Sequence, residues 1–169
     1  MLDRNGKAVV TVRENWEKQN LVRIGPYHGA AQLTFSPRVN ILAAPVFTVF
    51  FKALDAADLM QAIFTYDGGY VPRLKRGVTL PGAGSPKSAY EKLLSNHSRG
   101  CAIDINAKWN PMGHPATEHG KTGSVVRIAE IARTVRVKQD DGTEWGIVWG
   151  GDWKGTSLDG MHFELGVWT

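Results

Sequence analysis

The stretch LLSNHSRGCAIDIN, residues 93–106, contains a strand signal with a chemical group on either side of a glycine. In CAIDI, Cys101, Ile103 and Ile105 alternate with Ala102, Asp104 and Asn106. An extended strand with that pattern turns an apolar face to a core and shows Asp104 on the other face. His97 lies seven residues before Asp104, with Gly100 between them. Such a pair is either coincidence or two arms of a metal site lacking its third.

The third arm is near the end of the chain. In SLDGMHFEL, residues 157–165, Met161, Phe163 and Leu165 alternate with His162 and Glu164, so a second strand shows His162. Asp159 precedes His162 by three, across Gly160, whose permissive backbone can bend the aspartate back toward the ring. Two imidazoles and one carboxylate, with a second carboxylate beside them, match a catalytic zinc site in which a fourth position stays open to water. The helical HExxH pattern of common zinc peptidases is absent from the sequence. Each residue also has an ordinary reading. Either histidine can be a hydrogen-bonded core residue, Asp104 can cap a turn through DIN, and Asp159 can be a turn aspartate. Glu164, two residues beyond His162 on the same face, suits a hydrogen bond to that ring better than ligation.

Elsewhere the periodicity changes. Val46, Phe47, Phe50 and Leu54 recur at helical spacing, predicting a helix from Pro45 to about Ile63. Ser124 is placed to cap a helix through about Arg136, with Val125, Ile128, Ala129, Ala132 and Val135 as its buried stripe. KAVVTVRE (7–14) alternates like a strand, Asp67-Gly68-Gly69 signals a turn, and NAKWNPMGHPATEHGKTG (106–123) is a long polar loop. Cys101 reads as a small core residue, and His28, His114 and His119 sit in Gly/Pro-rich loops with no paired ligand spacing. The expected fold class is α+β, a small, mostly antiparallel sheet flanked by helices, in one domain spanning residues 1–169.

The 169 residues are 43% hydrophobic and 21% charged, as in a soluble globular protein. A net charge of +4 and a pI near 9.3 favour an acidic partner. The basic residues are scattered, RLKR (73–76) being the densest run, and no basic face with interleaved aromatics points to nucleic acid. ILAAPVFTVFF (41–51) is too short to cross a bilayer and is broken by Pro45. No apolar signal core opens the sequence, so the expectation is a chain made in the cytosol.

SNHSRGCAIDIN, followed by WNP (109–111) and WGGDWKGTSLDGMHFEL (149–165), resembles the zinc D-alanyl-D-alanine carboxypeptidase and L-alanyl-D-glutamate peptidase family. That family includes vancomycin-resistance carboxypeptidases and phage endolysins. Its pattern is S-x-H, G, A-x-D, then D/E-x-x-H near the C-terminus, on an α+β fold shared with the hedgehog signalling domain. The likeness runs from about Gly69 to Leu165, and residues 1–45 resemble nothing identifiable. It implies one Zn2+ held by His97, Asp104 and His162, with Asp159 as general base and then acid. It implies an arginine holding the substrate carbonyl: Arg73 in GYVPRLKRG, with Arg76 as the alternative. Ser95 matches the serine of S-x-H and is a candidate substrate contact, as is Trp153 in GGDW. Arg99 stands where many relatives carry an aromatic, which bears on pocket shape. The implied substrates are the peptide stems of bacterial peptidoglycan, attacked by a monomer with no stable membrane insertion. The expectation is a phage or prophage endolysin, released from the host cytosol, that cuts between L-Ala and D-Glu. A carboxypeptidase removing terminal D-Ala comes second. From another class, the alternative is a non-catalytic zinc-containing wall-binding module, against which Asp159 speaks.

Overall fold

The computed structural model describes residues 10–82 and 84–168. It opens with a short helix, α1 (Trp16–Asn20), and four short strands: β1 (Leu21–Arg23), β2 (Tyr27–His28), β3 (Thr34–Phe35) and β4 (Arg38–Asn40). β1 pairs with β4 and β2 with β3, both antiparallel. Then come α2 (Ala44–Ala56), β5 (Tyr66–Gly68), α3 (Lys87–Glu91), β6 (Ala102–Ile105), α4 (Val126–Thr134), β7 (Arg136–Lys138), β8 (Glu144–Trp149) and β9 (His162–Trp168). The last five strands form one antiparallel sheet in the order β5-β6-β9-β8-β7. The architecture is α+β, as the periodicities predict. Of the strand expected in KAVVTVRE, residues 7–9 lie outside the described residues and 10–13 form no strand.

The sheet is two-faced because its central strands alternate. Ile103 and Ile105 of β6, Ile147 of β8 and Phe163 of β9 are buried in the core with Phe47, Phe50 and Leu54 of α2 and Ile128, Ala129 and Ala132 of α4. Burying the leucine, isoleucine and phenylalanine side chains stabilises by about 1.5–3 kcal/mol each. The opposite face of the same strands carries Asp104, His162 and Glu164. The stripe expected for α4 is buried throughout, Val125 and Val135 included. Its helix is shorter than expected: Val125 occupies the capping position, and the Ser124 hydroxyl accepts only from Val126 N–H at 3.4 Å.

Helix α2 ends at Ala56 rather than Ile63. Asp58 takes a left-handed φ of 56°, and Met60–Ala62 form one 3-10 turn. Met60 and Ile63 are nonetheless buried, so the apolar spacing outlasts the helix. Asp67-Gly68 is not a turn between elements. It lies inside β5, where the register with β6 shifts at Gly68 and a φ of 144° suits glycine alone. The first 45 residues are part of the same core where described: Phe35 stacks on Tyr66 at 5.0 Å and Tyr27 on Phe51 at 4.3 Å.

Candidate metal centre

His97 sits in a 3-10 turn, Asn96–Arg99, capped by the Ser95 hydroxyl, which accepts from the His97 N–H at 3.1 Å. Gly100 closes the turn in the left-handed region (φ 69°). A Cβ there would lie 2.7 Å from the Asn40 nitrogen, so glycine is required both for the turn and for the close passage of β4. Asp104 lies on β6 directly opposite His162 on β9. The cross-strand pairing of these two residues brings the sequence-distant arms together.

The three candidate ligand atoms form a tight triangle. His97 Nε2 is 3.2 Å from His162 Nδ1 and 3.3 Å from Asp104 Oδ1, and His162 Nδ1 is 3.1 Å from the same oxygen. Bonds of 2.0–2.1 Å in a tetrahedron imply ligand–ligand edges of about 3.3 Å. The second nitrogen of each ring is committed elsewhere. His97 Nδ1 lies 2.7 Å from the Gly69 carbonyl, and His162 Nε2 lies 2.8 Å from Glu164 Oε2. Each ring donates there, which directs the lone pair of its other nitrogen into the triangle. Two lone pairs and a carboxylate oxygen in that space call for a positive charge at the centre. His97, Asp104 and His162 could therefore hold a metal ion, and the donor set suits zinc.

A proton can supply that charge instead. Burial works against the charged His162 ring, but the carboxylates of Asp104 and Glu164 outweigh it and push its pKa up to about 9. Burial likewise opposes ionisation of Asp104, yet in this protonated, metal-free state hydrogen bonds from the His162 and His97 rings hold it well below the usual carboxylate range. The raised His162 pKa stabilises the fold fully below the unfolded value near 6.5, and the contribution disappears as pH rises through about 9. In chelator, the melting temperature is expected to fall between pH 6.5 and 9, following a loss on the order of 3 kcal/mol. A flat profile over that range refutes a charged His162.

Asp159 approaches from the turn before β9. Its N–H donates to the Gly150 carbonyl at 3.0 Å, and its carbonyl accepts from His162 N–H at 3.2 Å. Gly150 permits this packing, since a Cβ there would meet the Asp159 carbonyl at 2.6 Å. The Asp159 side chain is half-buried, with Oδ1 fully buried and unpartnered. Burial pushes its pKa up, opposed by the charge of His162. A buried carboxylate oxygen without a donor is held ready for a proton or a bound molecule.

A cleft of about 400 Å³ is lined by all eight residues singled out in the sequence: His97, Asp104, His162, Asp159, Arg73, Arg76, Ser95 and Trp153. The Trp153 ring lies 5.3 Å from that of His162. Ser95 is buried and its hydroxyl serves the turn. Arg99 does not shape this cleft: it lines a separate groove of about 870 Å³, and its guanidinium donates to the Glu91 carbonyl. His28, His114 and His119 are exposed, and Cys101 is half-buried, packed against the edge of the core.

Several positioning groups were not legible in the sequence. Asn96 donates to Glu164 Oε2 at 2.8 Å, so that carboxylate is fixed from two sides. Asn106, just beyond Asp104, accepts from Phe64 and Thr65 N–H and donates to the Ala62 and Gly123 carbonyls. Asn110 is fully buried, bonding Asn106, Gly123 and Thr117, and it anchors the long loop. WNP thus carries a structural asparagine.

Residues 89–165 match the family described as D-alanyl-D-alanine carboxypeptidase. The match spans all four residues of the centre and somewhat under half of the chain. It supports a zinc peptidase acting on peptidoglycan peptides. No curated protein and no solved structure matches the chain. Among the described residues, no helix is long and apolar enough to cross a membrane.

Proposed function

We propose that this chain is a zinc-dependent peptidoglycan peptidase of the L-alanyl-D-glutamate endopeptidase type, acting as a phage or prophage endolysin. The observation that carries the catalytic reading is the buried, unpartnered Asp159 oxygen in the same cleft as the histidine–aspartate triangle. A purely structural zinc site has no use for such a group. His97, Asp104 and His162 would hold the ion. When bound, zinc would supply a Lewis acid for the peptide carbonyl and lower the pKa of a water to about 7. Asp159 takes the proton of the attacking water and returns it to the departing amine. Burial raises its pKa, which strengthens it as the acceptor of the water's proton. Arg73, half-buried in the cleft wall, offsets the negative charge that develops on the carbonyl oxygen. Trp153 walls the cleft beside His162 and excludes water from that side.

The description of the matched family favours a second reading, removal of terminal D-Ala. Mass spectra of digested stem peptides separate the two: free D-Ala with an intact L-Ala bond defeats the endopeptidase assignment. Lysis of cell walls that continues undiminished in chelator, with zinc shown to be gone, defeats the metal mechanism itself.

Glu164 tests the support of the centre. In Glu164→Gln, His162 Nε2 loses its carboxylate partner while the side chain keeps its size. Zinc affinity is expected to fall about 10–100-fold, read by competition with a chromophoric chelator. Unchanged affinity removes Glu164 from the site.

A further inference from the structure

One wall of the cleft is an extended segment that runs beside the His97 turn. Val71 N–H donates to the His97 carbonyl, Ser95 N–H to the Arg73 carbonyl, and Lys75 N–H to the Leu93 carbonyl. Leu74 bridges Leu94. Alternation along that segment sorts the side chains. Tyr70, Pro72 and Leu74 line the larger groove, while Arg73 and Lys75 line the cleft, with Arg76 beside them.

Three cations thus share one side of a small cleft. Among the described residues, none of them forms an ion pair. The charge of Arg76 opposes that of Arg73, so the two guanidinium groups repel one another. Arg73 is half-buried while Lys75 and Arg76 are exposed at the cleft, so an anionic group entering it meets positive charge on that side. Under the reading above, one arginine meets the charge that develops on the carbonyl oxygen during reaction. That transient charge leaves the second arginine without a partner.

We propose that Arg76 is a specificity-determining residue that clamps a free carboxylate on the residue departing with the new amine. This inference rests on the peptidase reading and names its substrate class. Asp159 delivers a proton to the departing nitrogen, and Arg76 lines the same cleft as Asp159. The charge of Arg73 is felt at Asp104 in the triangle as well as at Asp159, and that of Arg76 at Asp159. The α-carboxylate of the departing residue is one carbon away from that nitrogen. A guanidinium on the wall of the cleft that Asp159 also lines is placed for it, and its planar fork matches a carboxylate in two-point contact. The charge of Lys75 is felt instead at Glu164, behind His162. The clamp reads a feature common to both candidate bonds. In L-Ala–γ-D-Glu and in D-Ala–D-Ala alike, the departing D-residue carries its carboxylate on the carbon next to nitrogen.

The test uses the zinc-loaded full chain and the stem peptide L-Ala-γ-D-Glu-L-Lys-D-Ala-D-Ala. Its two counterparts are amidated at the D-Glu α-carboxylate or at the terminal D-Ala. For whichever bond is cut, amidating the departing residue is expected to raise KM about tenfold or more in the wild type, with kcat little changed. Arg76→Ala should lose that preference by weakening the acid alone, and Arg76→Lys should restore part of it. Equal kcat/KM for acid and amide in the wild type overturns the clamp, as does an equal loss on both in Arg76→Ala. Calorimetric binding of the acidic peptide separates this failure from that of the peptidase reading. Binding weakened tenfold in Arg76→Ala supports the clamp even without turnover, and unchanged binding overturns it.

Discussion

Asp159→Ala is expected to retain one zinc per chain and to reduce stem-peptide hydrolysis about 10²–10⁴-fold, the range of a lost general acid–base. Metal content should be preserved because the triangle of His97, Asp104 and His162 does not include Asp159. The fold should be preserved because the Asp159 side chain donates nothing to its surroundings, and its buried Oδ1 accepts nothing. The turn is held by backbone groups, from Gly150 to the His162 N–H. Asp159→Asn, which keeps the volume and removes the proton acceptor, should lose activity to a similar degree. Hydrolysis at the wild-type rate in either variant removes the base from the mechanism. Loss of zinc together with activity makes Asp159 a part of the metal site instead.

The second large effect is at His97. His97→Ala leaves one imidazole and one carboxylate in the triangle and frees the Gly69 carbonyl from its ring partner. Zinc per chain, measured after dialysis, is expected to fall below about a tenth of the wild-type content, since three protein groups normally hold a catalytic zinc. Hydrolysis should disappear with the metal. Circular dichroism should retain the strand signal, because the ring lies on the face of the sheet away from the apolar core. Stoichiometric zinc in this variant contradicts the ligand assignment, whatever happens to activity.

These positions were legible because of where they lie. β6 and β9 bury one face against two helices, so period-two alternation was strong there and separated Asp104 and His162 from their apolar neighbours. α4 was legible for the same reason at period 3.6. The end of α2 was not, because Met60 and Ile63 continue the apolar spacing through a 3-10 turn that uses the same burial. β5 was hidden by Asp67-Gly68, where a bulge needs the residue types that ordinarily make turns. The partner of His97 Nδ1 is a backbone carbonyl, that of Gly69, which has no side-chain signature at all. The wall bearing Arg73 and Arg76 is secured by scattered hydrogen bonds and one isolated bridge. Its alternation was too short to separate one arginine from the other by pattern.

Asp104 and His162 are partners across two neighbouring strands, with no loop to adjust their separation. A slip of one residue between β6 and β9 would turn one of the two side chains through to the hydrophobic layer and dissolve the triangle. An ion captured there consequently stabilises a single alignment of the sheet over every shifted one. Metal uptake and correct strand assembly would thereby be coupled, so an ion held at this centre would also proofread the folding of the strands that bear it.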